Sequence, residues 1–379
     1  MVMGPAMGVI LADLGAEVIK VEPIGGDKTR RLKGSGAGYF SMYNRNKKSI
    51  CVDMKTDAGM QLVMRLIESA DVLIENFRPG AMEKIGLGYE QLKAFNPGLI
   101  YCSLKGFLSG PYENRTALDE VAQMMGGLAY MTGLPDKPTR AGSSVIDITG
   151  GMFGVIGVLA SLERRHTTGQ GEFVSSSLFE TTAFMVGQHM AQEAVSGEAP
   201  PPMSVRRSAW SIYDIFYSGD NERVFVGVVS DRLWKQFCNE FNLRELGDDV
   251  ALESNNERVK QRQRILPVVE QLFLSLTTTE LTKRLESAGI PFARINAPSD
   301  LFEDEHLVSN GGLLEVTLAD GENQGQMTNL PALPLELAGA RFGLRQDIPR
   351  QGQHADQLLQ DLGYDTDEIK SFKESGVVE

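Results

Sequence analysis

Up to about residue 105, short runs of β-branched residues alternate with stretches whose apolar positions recur at helical spacing, the pattern of parallel strands joined by helical crossovers. Pro5, after Gly4, opens a helix that runs to Asp13, and Gly15 stops it before a strand at Glu17 to Val21. Ser49 to Met54 and Asp71 to Ile74 read as the next strands, separated by an amphipathic helix from Gly59 to Ala70. After one more helix, Asn96-Pro97-Gly98 turns the chain into a fourth strand at Leu99 to Leu104. This order predicts an open doubly wound sheet and an α/β fold.

Small residues then gather around Met124 to Thr132, and a long apolar helix follows from Ile148 to Arg165. Gly197 to Met203 (GEAPPPM) is a proline-rich linker and marks a boundary. Beyond it, Trp210 to Phe216 and Arg223 to Val229 read as strands joined by Ser218-Gly219-Asp220, with helices onward to Ala288: a smaller α+β module. The stretch from Gly339 to Glu379 ends in an acidic helix whose pattern suggests a return to the first body.

Composition narrows the function classes. A chain of 379 residues can bury more than one core, and 42% hydrophobic with 23% charged residues is ordinary for a soluble protein. Apolar runs such as Met152 to Ala160 are broken by glycine and far shorter than the roughly 20 residues that span a bilayer, so no membrane helix is expected. The amino-terminal segment lacks the basic stretch and cleavage site of a secretory signal. Three scattered cysteines, Cys51, Cys102 and Cys238, suit buried thiols in a reducing compartment, and the expected location is cytoplasmic. Four histidines, none within ligand spacing of another, and no CxxC pattern argue against a metal site. Fifty acidic against 37 basic residues give a formal charge of -13, which disfavours nucleic acid as a partner but leaves room for a small anion held by local cations.

Several motifs carry candidate chemistry. The glycines of Gly34-Ser35-Gly36-Ala37-Gly38 do not sit between a strand and a helix, so a flexible loop fits better than a dinucleotide site. Asn44-Arg45-Asn46-Lys47-Lys48 is a basic knot that reads either as a solvated turn or as a holder of an anion. Glu75 to Gly80 follows a strand end, where open α/β sheets bind ligands. There Asn76 offers paired donors and acceptors, Phe77 a stacking face and Arg78 a permanent cation, while Lys84 on the next helix can meet a phosphate. A structural turn is an equal reading of the same residues. Asp147, between apolar neighbours and just ahead of a long helix, is either an N-cap or a carboxylate nucleophile.

Collinear blocks of the chain resemble the family III CoA-transferases, also called the CaiB/BaiF family. They are LADLGAEVIKVEP (residues 11 to 23), YFSMYNRNKKSICVDMK (39 to 55), ADVLIENFRPGAMEKIGLGYEQL (70 to 92) and NPGLIYCSLKGF (96 to 107). TGLPDKPTRAGSSVIDITGG (132 to 151), LASLERRHTTGQGE (159 to 172) and the closing QHADQLLQDLGYDTDEIKSF continue the series. The resemblance implies a Rossmann-like large domain at 1 to 200 completed by 330 to 379, a small domain at 205 to 325, and a return segment from 326. It further implies an open-ring subunit that interlocks with a second copy as a homodimer. Relatives carry a strand of the form G-x-x-V-L-D ahead of the Gly-Pro that is Gly4-Pro5 here, so the sheet is expected to lack that strand.

Residue by residue, Asp147 matches the family's nucleophile, Val52, Asn76, Phe77 and Lys84 match positions lining the CoA site, and Asp119 matches an acidic active-site position. The implied reaction moves CoA from an acyl-CoA to a small carboxylic acid through an Asp147 mixed anhydride and an aspartyl-CoA thioester. The CoA thioester is a substrate, and no permanently bound cofactor is implied. Backbone near Gly150 and Gly151 is a candidate source of oxyanion donors. The glycine loop of some formyl-CoA transferases is not evident between Pro200 and Trp210, so the acceptor need not be oxalate. Two alternatives share the fold: a 2-methylacyl-CoA racemase, whose expected histidine is Leu118 here, and a non-catalytic CoA-binding protein. Arg206, Arg207, Trp210 and Tyr213 are candidates for contacting the acid, whereas His166, His189 and His354 read as packing or surface residues.

Overall fold

The computed structural model describes residues 1–206 and 208–379. The chain forms two compact units, Met1–Val205 with Glu305–Glu379, and Arg206–Asp304. The second crossing therefore lies at Glu305, ahead of the 326 expected, and the strands Leu313–Thr317 and Met327–Pro331 belong to the first unit.

In the first unit, α1 (Met3–Asp13) leads to β1 (Val18–Glu22), α2 (Tyr39–Tyr43) and β2 (Lys47–Cys51). Then follow α3 (Asp57–Glu68), β3 (Val72–Glu75), α4 (Ala81–Lys84), α5 (Tyr89–Phe95) and β4 (Ile100–Lys105). After α6 (Asp119–Met125) and α7 (Leu128–Thr132) come α8 (Val145–Thr168), β5 (Phe173–Ser177) and α9 (Leu178–Ser196). The strands are parallel, but they do not make one sheet. β1 pairs with β2 in register Val18↔Lys47, while β3, β4 and β5 form a separate ladder through Val72↔Ile100 and Tyr101↔Phe173. The doubly wound sheet expected from the pattern is thus represented by two pieces, because no described strand pairs with both.

Helix α1 packs on α8 at unusually close range. A Cβ on Gly150 would sit 2.6 Å from Met3 Cε, and one on Gly151 would sit 2.9 Å from the Met3 carbonyl oxygen. At Gly151 the obstacle is the α1 backbone, so a side chain there would push the two helices apart, whereas at Gly150 it is the mobile end of Met3. The closing helices, Ala355–Asp361 and Thr366–Glu374, bury Leu358, Leu359 and Ile369 against Ile50, Leu62 and Leu92, so the end of the chain completes this core.

The basic knot is neither a solvated turn nor an anion holder. Arg45 is buried and donates to Asp13 through Nη2 at 2.6 Å, and Asn46 donates to the same carboxylate at 2.8 Å. Lys47 gives its hydrogens to the carbonyls of Pro5 and Tyr43 and to Asn44 Oδ1, at 2.9, 2.7 and 3.0 Å. These charges bind helices to one another, because buried polar groups must find partners.

α8 also departs from expectation. It runs 24 residues, long and apolar enough by length and composition to cross a membrane. Its glycine face lies on α1, yet Met152, Ile156 and Leu159 are exposed, and so is Phe184 of α9, which meets Phe153 edge to face.

The second unit is a three-stranded antiparallel sheet, β6 (Ile212–Tyr217), β7 (Arg223–Val228) and β8 (Phe292–Arg294), with helices over a core of Phe216, Trp234, Phe237 and Phe273.

Candidate active site

Asp147 is the third residue of α8. It does not cap the helix, and the N-cap Ser144 side chain makes no capping bond either. The cap comes from another helix: Asp119 Oδ2 accepts the backbone N–H groups of Ile146 and Asp147 at 2.9 and 3.0 Å. Its other oxygen accepts Gln123 Nε2 at 2.6 Å, one turn along α6, and Arg140 Nη2 stands 3.6 Å away. Gln123, 0% exposed, also accepts the Ala141 N–H at 2.8 Å, which pins the loop leading into α8. Asp119 is buried with both oxygens engaged, so it holds the backbone on which Asp147 is mounted.

The Asp147 carboxylate is half-buried at the start of α1 and accepts the Met3 N–H. Burial pushes its pKa up to about 6 against the pull of the amino-terminal charge; the Asp119 charge adds to the rise, while the Met3 N–H and Arg140 oppose it. At neutral pH the group is mostly ionised yet more basic than an ordinary carboxylate, which suits a nucleophile.

α2 adds a wall that sequence reasoning missed. Tyr39 and Tyr43 are one helical turn apart and share a face. The Tyr39 hydroxyl lies 3.5 Å from Ser144 Oγ, and the Tyr43 phenol is raised by burial and by the charges of Asp147, Tyr39 and Asp119.

The turn after β3 lies on the other side of the α1 terminus. A Cβ on Gly4 would come within 2.9 Å of Asn76 Oδ1, so the missing side chain lets Asn76 rest on the helix start. Buried Glu75 holds the turn: it accepts the Phe77 N–H at 2.8 Å and the Ser103 hydroxyl. Phe77 is 59% exposed, Asn76 and Arg78 are exposed beside it, and Lys84 is exposed at the end of α4. Neither Arg78 nor Lys84 has an ion-pair partner among the described residues. Val52 stands apart from this surface: it is 1% exposed, packed in the core and bridged to Val378.

One further expectation is revised, and one is met. Gly150 and Gly151 lie inside α8 with their N–H groups committed to the helical ladder, and they serve the approach of α1 rather than an oxyanion. His354 is a packing residue whose Nδ1 accepts the Ser49 N–H at 3.1 Å. In the second unit, the Trp210 and Tyr213 rings pack tilted with centroids 4.8 Å apart, and the Arg206 guanidinium lies 5.9 Å from the Tyr213 ring. Arg207 lies outside the described residues.

Residues 1–355 match the model of CoA-transferase family III. The chain is 31% identical to the succinyl-CoA:glutarate CoA-transferase of Mus musculus, with 99% of this chain and 87% of that protein covered. It is 30% identical to the succinyl-CoA–D-citramalate CoA-transferase of Chloroflexus aurantiacus, covering 99% and 94%. Among solved structures, a CaiB/BaiF family protein from Brucella suis superposes with a TM-score of 0.82 at 31% identity, covering 95% and 96%.

Proposed function

This chain belongs to CoA-transferase family III and is a CoA-transferase, and we propose that it moves CoA from an acyl-CoA to a dicarboxylic acid through covalent acylation of Asp147. The observation that carries the reading is a half-buried carboxylate raised to about 6, with its own backbone N–H tied down by Asp119. A carboxylic acid accepts CoA only after activation, and a carboxylate nucleophile supplies that activation without any outside energy source.

In the first step an Asp147 oxygen attacks the thioester carbonyl carbon, the C–S bond breaks and CoA leaves as thiolate, giving a mixed anhydride. The thiolate attacks the aspartyl carbonyl and releases the donor acid as carboxylate, leaving an aspartyl-CoA thioester. The acceptor carboxylate attacks that thioester, its C–S bond breaks and CoA leaves again as thiolate, giving a second anhydride. Thiolate attack on the acceptor's acyl carbon then yields the new acyl-CoA and frees Asp147. No proton is consumed. Asp119 acts as a positioning residue, fixing the helix start against movement during these attacks.

The nucleotide end of CoA is assigned to the turn after β3. Phe77 offers a ring face, and Arg78 and Lys84 offer cations free to meet phosphates. The apolar surface of α8 and α9 supports assembly with a second copy in an interlocked homodimer, since exposed Met152, Ile156 and Phe184 are costly in water. The test is transfer of CoA from succinyl-CoA to a panel of dicarboxylates by wild type and Asp147→Ala. Loss of at least about 10³-fold in kcat is expected, and equal activity would remove Asp147 from the mechanism.

A further inference from the structure

We infer that Arg140 is the seat for the distal carboxylate of a dicarboxylic substrate, so that diacids are selected at the loop that delivers the nucleophile. The inference rests on the assignment of Asp147 as the acylated residue.

The guanidinium is held in place without being consumed. Nε donates to the Ala141 carbonyl and Nη2 to the Ser143 carbonyl, both at 3.0 Å, so the side chain folds over its own loop instead of extending into solvent. Through Ala141 and Gln123 that loop is fixed to α6. The nearest carboxylates do not bind it properly: Asp119 stands at 3.6 Å and Glu120 at 3.8 Å, beyond hydrogen-bond length. Asp119 is already spent on Ile146, Asp147 and Gln123. Glu120 is 58% exposed and solvated. Nη1 therefore has no hydrogen-bonded acceptor, and the side chain is 32% exposed.

An open guanidinium edge matches a carboxylate in shape and charge. Arg140 and Asp147 border the same carboxylate: Nη2 stands 3.6 Å from Asp119 Oδ1, and the Asp147 N–H donates to Asp119 Oδ2 at 3.0 Å. A diacid reacting through one end at Asp147 would bring its other end to this cation, whereas a monoacid has nothing to offer it. In a protein of formal charge -13, a dianion needs such a local partner to bind at all.

Steady-state kinetics on the full chain test this with matched acids, glutarate against valerate as acceptors and succinyl-CoA against butyryl-CoA as donors. Arg140→Met is expected to raise KM for glutarate and succinyl-CoA about tenfold relative to valerate and butyryl-CoA, since any change at Asp147 itself is common to all four. Arg140→Lys, which keeps the charge but loses the fork, falls between. Glu120→Gln, which removes a negative charge 3.8 Å from Nη1, lowers KM for glutarate about twofold. The inference is overturned if Arg140→Met leaves all four constants as they were, or if both acceptors fall together, which would mark a purely structural role. A common rise for both thioesters alone would assign the cation to CoA and overturn it equally. Absence of transfer to any acid by the wild type would instead sink the function itself.

Discussion

Two polar clusters in the first unit hold charge in opposite ways. Around Asp13, the carboxylate meets Arg45 and Asn46, Asn46 Oδ1 accepts the N–H groups of Arg345 and Gln346, and Lys47 is saturated by carbonyls. At the head of α8, Asp119 is saturated in the same manner, but Asp147 and Arg140 are left with open valence toward solvent. The first cluster is buried and does structural work, with Arg45 Nη1 left as its one unpartnered donor among the groups named. The second uses one closed carboxylate to present one unfinished carboxylate, and the unfinished groups are where a substrate finds partners.

Removing the closed carboxylate of the second cluster should break that division most severely. Asp119→Ala is expected to lower kcat by about 10²-fold through loss of positioning. It should also move the acidic limb of the pH profile below 6, because the Asp119 charge contributes to the raised Asp147 pKa. A profile that kept its limb while kcat fell would separate positioning from charge. In the buried cluster the sign of the effect differs: Arg45→Met strands the Asp13 charge in the core and should cost about 3–5 kcal/mol of stability, measured by denaturant unfolding. Activity per folded molecule should be retained.

At the nucleotide end, Phe77→Ala is expected to raise KM for acyl-CoA about fivefold with kcat little changed, the mark of a contact made equally in ground and transition states. The smallest effect is thermodynamic. A carboxyl near 6 in the fold, against an ordinary 3.8, binds more proton folded than unfolded between those values, so its ionisation costs stability above about 6. Asp147→Asn should therefore stabilise the protein by roughly 1 kcal/mol at pH 8, after allowance for solvent screening, with the gain vanishing as pH falls toward 4.

What the sequence disclosed divides along the same line. Elements whose signal is local were legible: the helix from Pro5 to Asp13, the strands near Val18, Val72 and Ile100, and the turn at Asn76 and Phe77 all lie where periodicity and punctuation put them. Asp147 was legible as a carboxylate at a helix start. Partnerships spanning tens of residues were not. Arg45 looked like a surface charge because its partner Asp13 lies on another element, and Asp119 looked like a catalytic acid because its work is done on the N–H groups of Ile146 and Asp147. Gln123 lies in no quoted block and Arg140, within the block at 132 to 151, drew no role, since a buried amide and a half-exposed guanidinium reveal their use only through the neighbours they meet. Gly150 and Gly151 suggested oxyanion donors, whereas they lie inside α8 where α1 comes close.

The most direct measurement is mass spectrometry of the intact protein after incubation with succinyl-CoA and trapping with hydroxylamine, followed by peptide mapping. Hydroxamate confined to the peptide carrying Asp147, and lost in Asp147→Asn, is the predicted result. A trapped label on any other residue, or transfer that proceeds with none, would contradict the account.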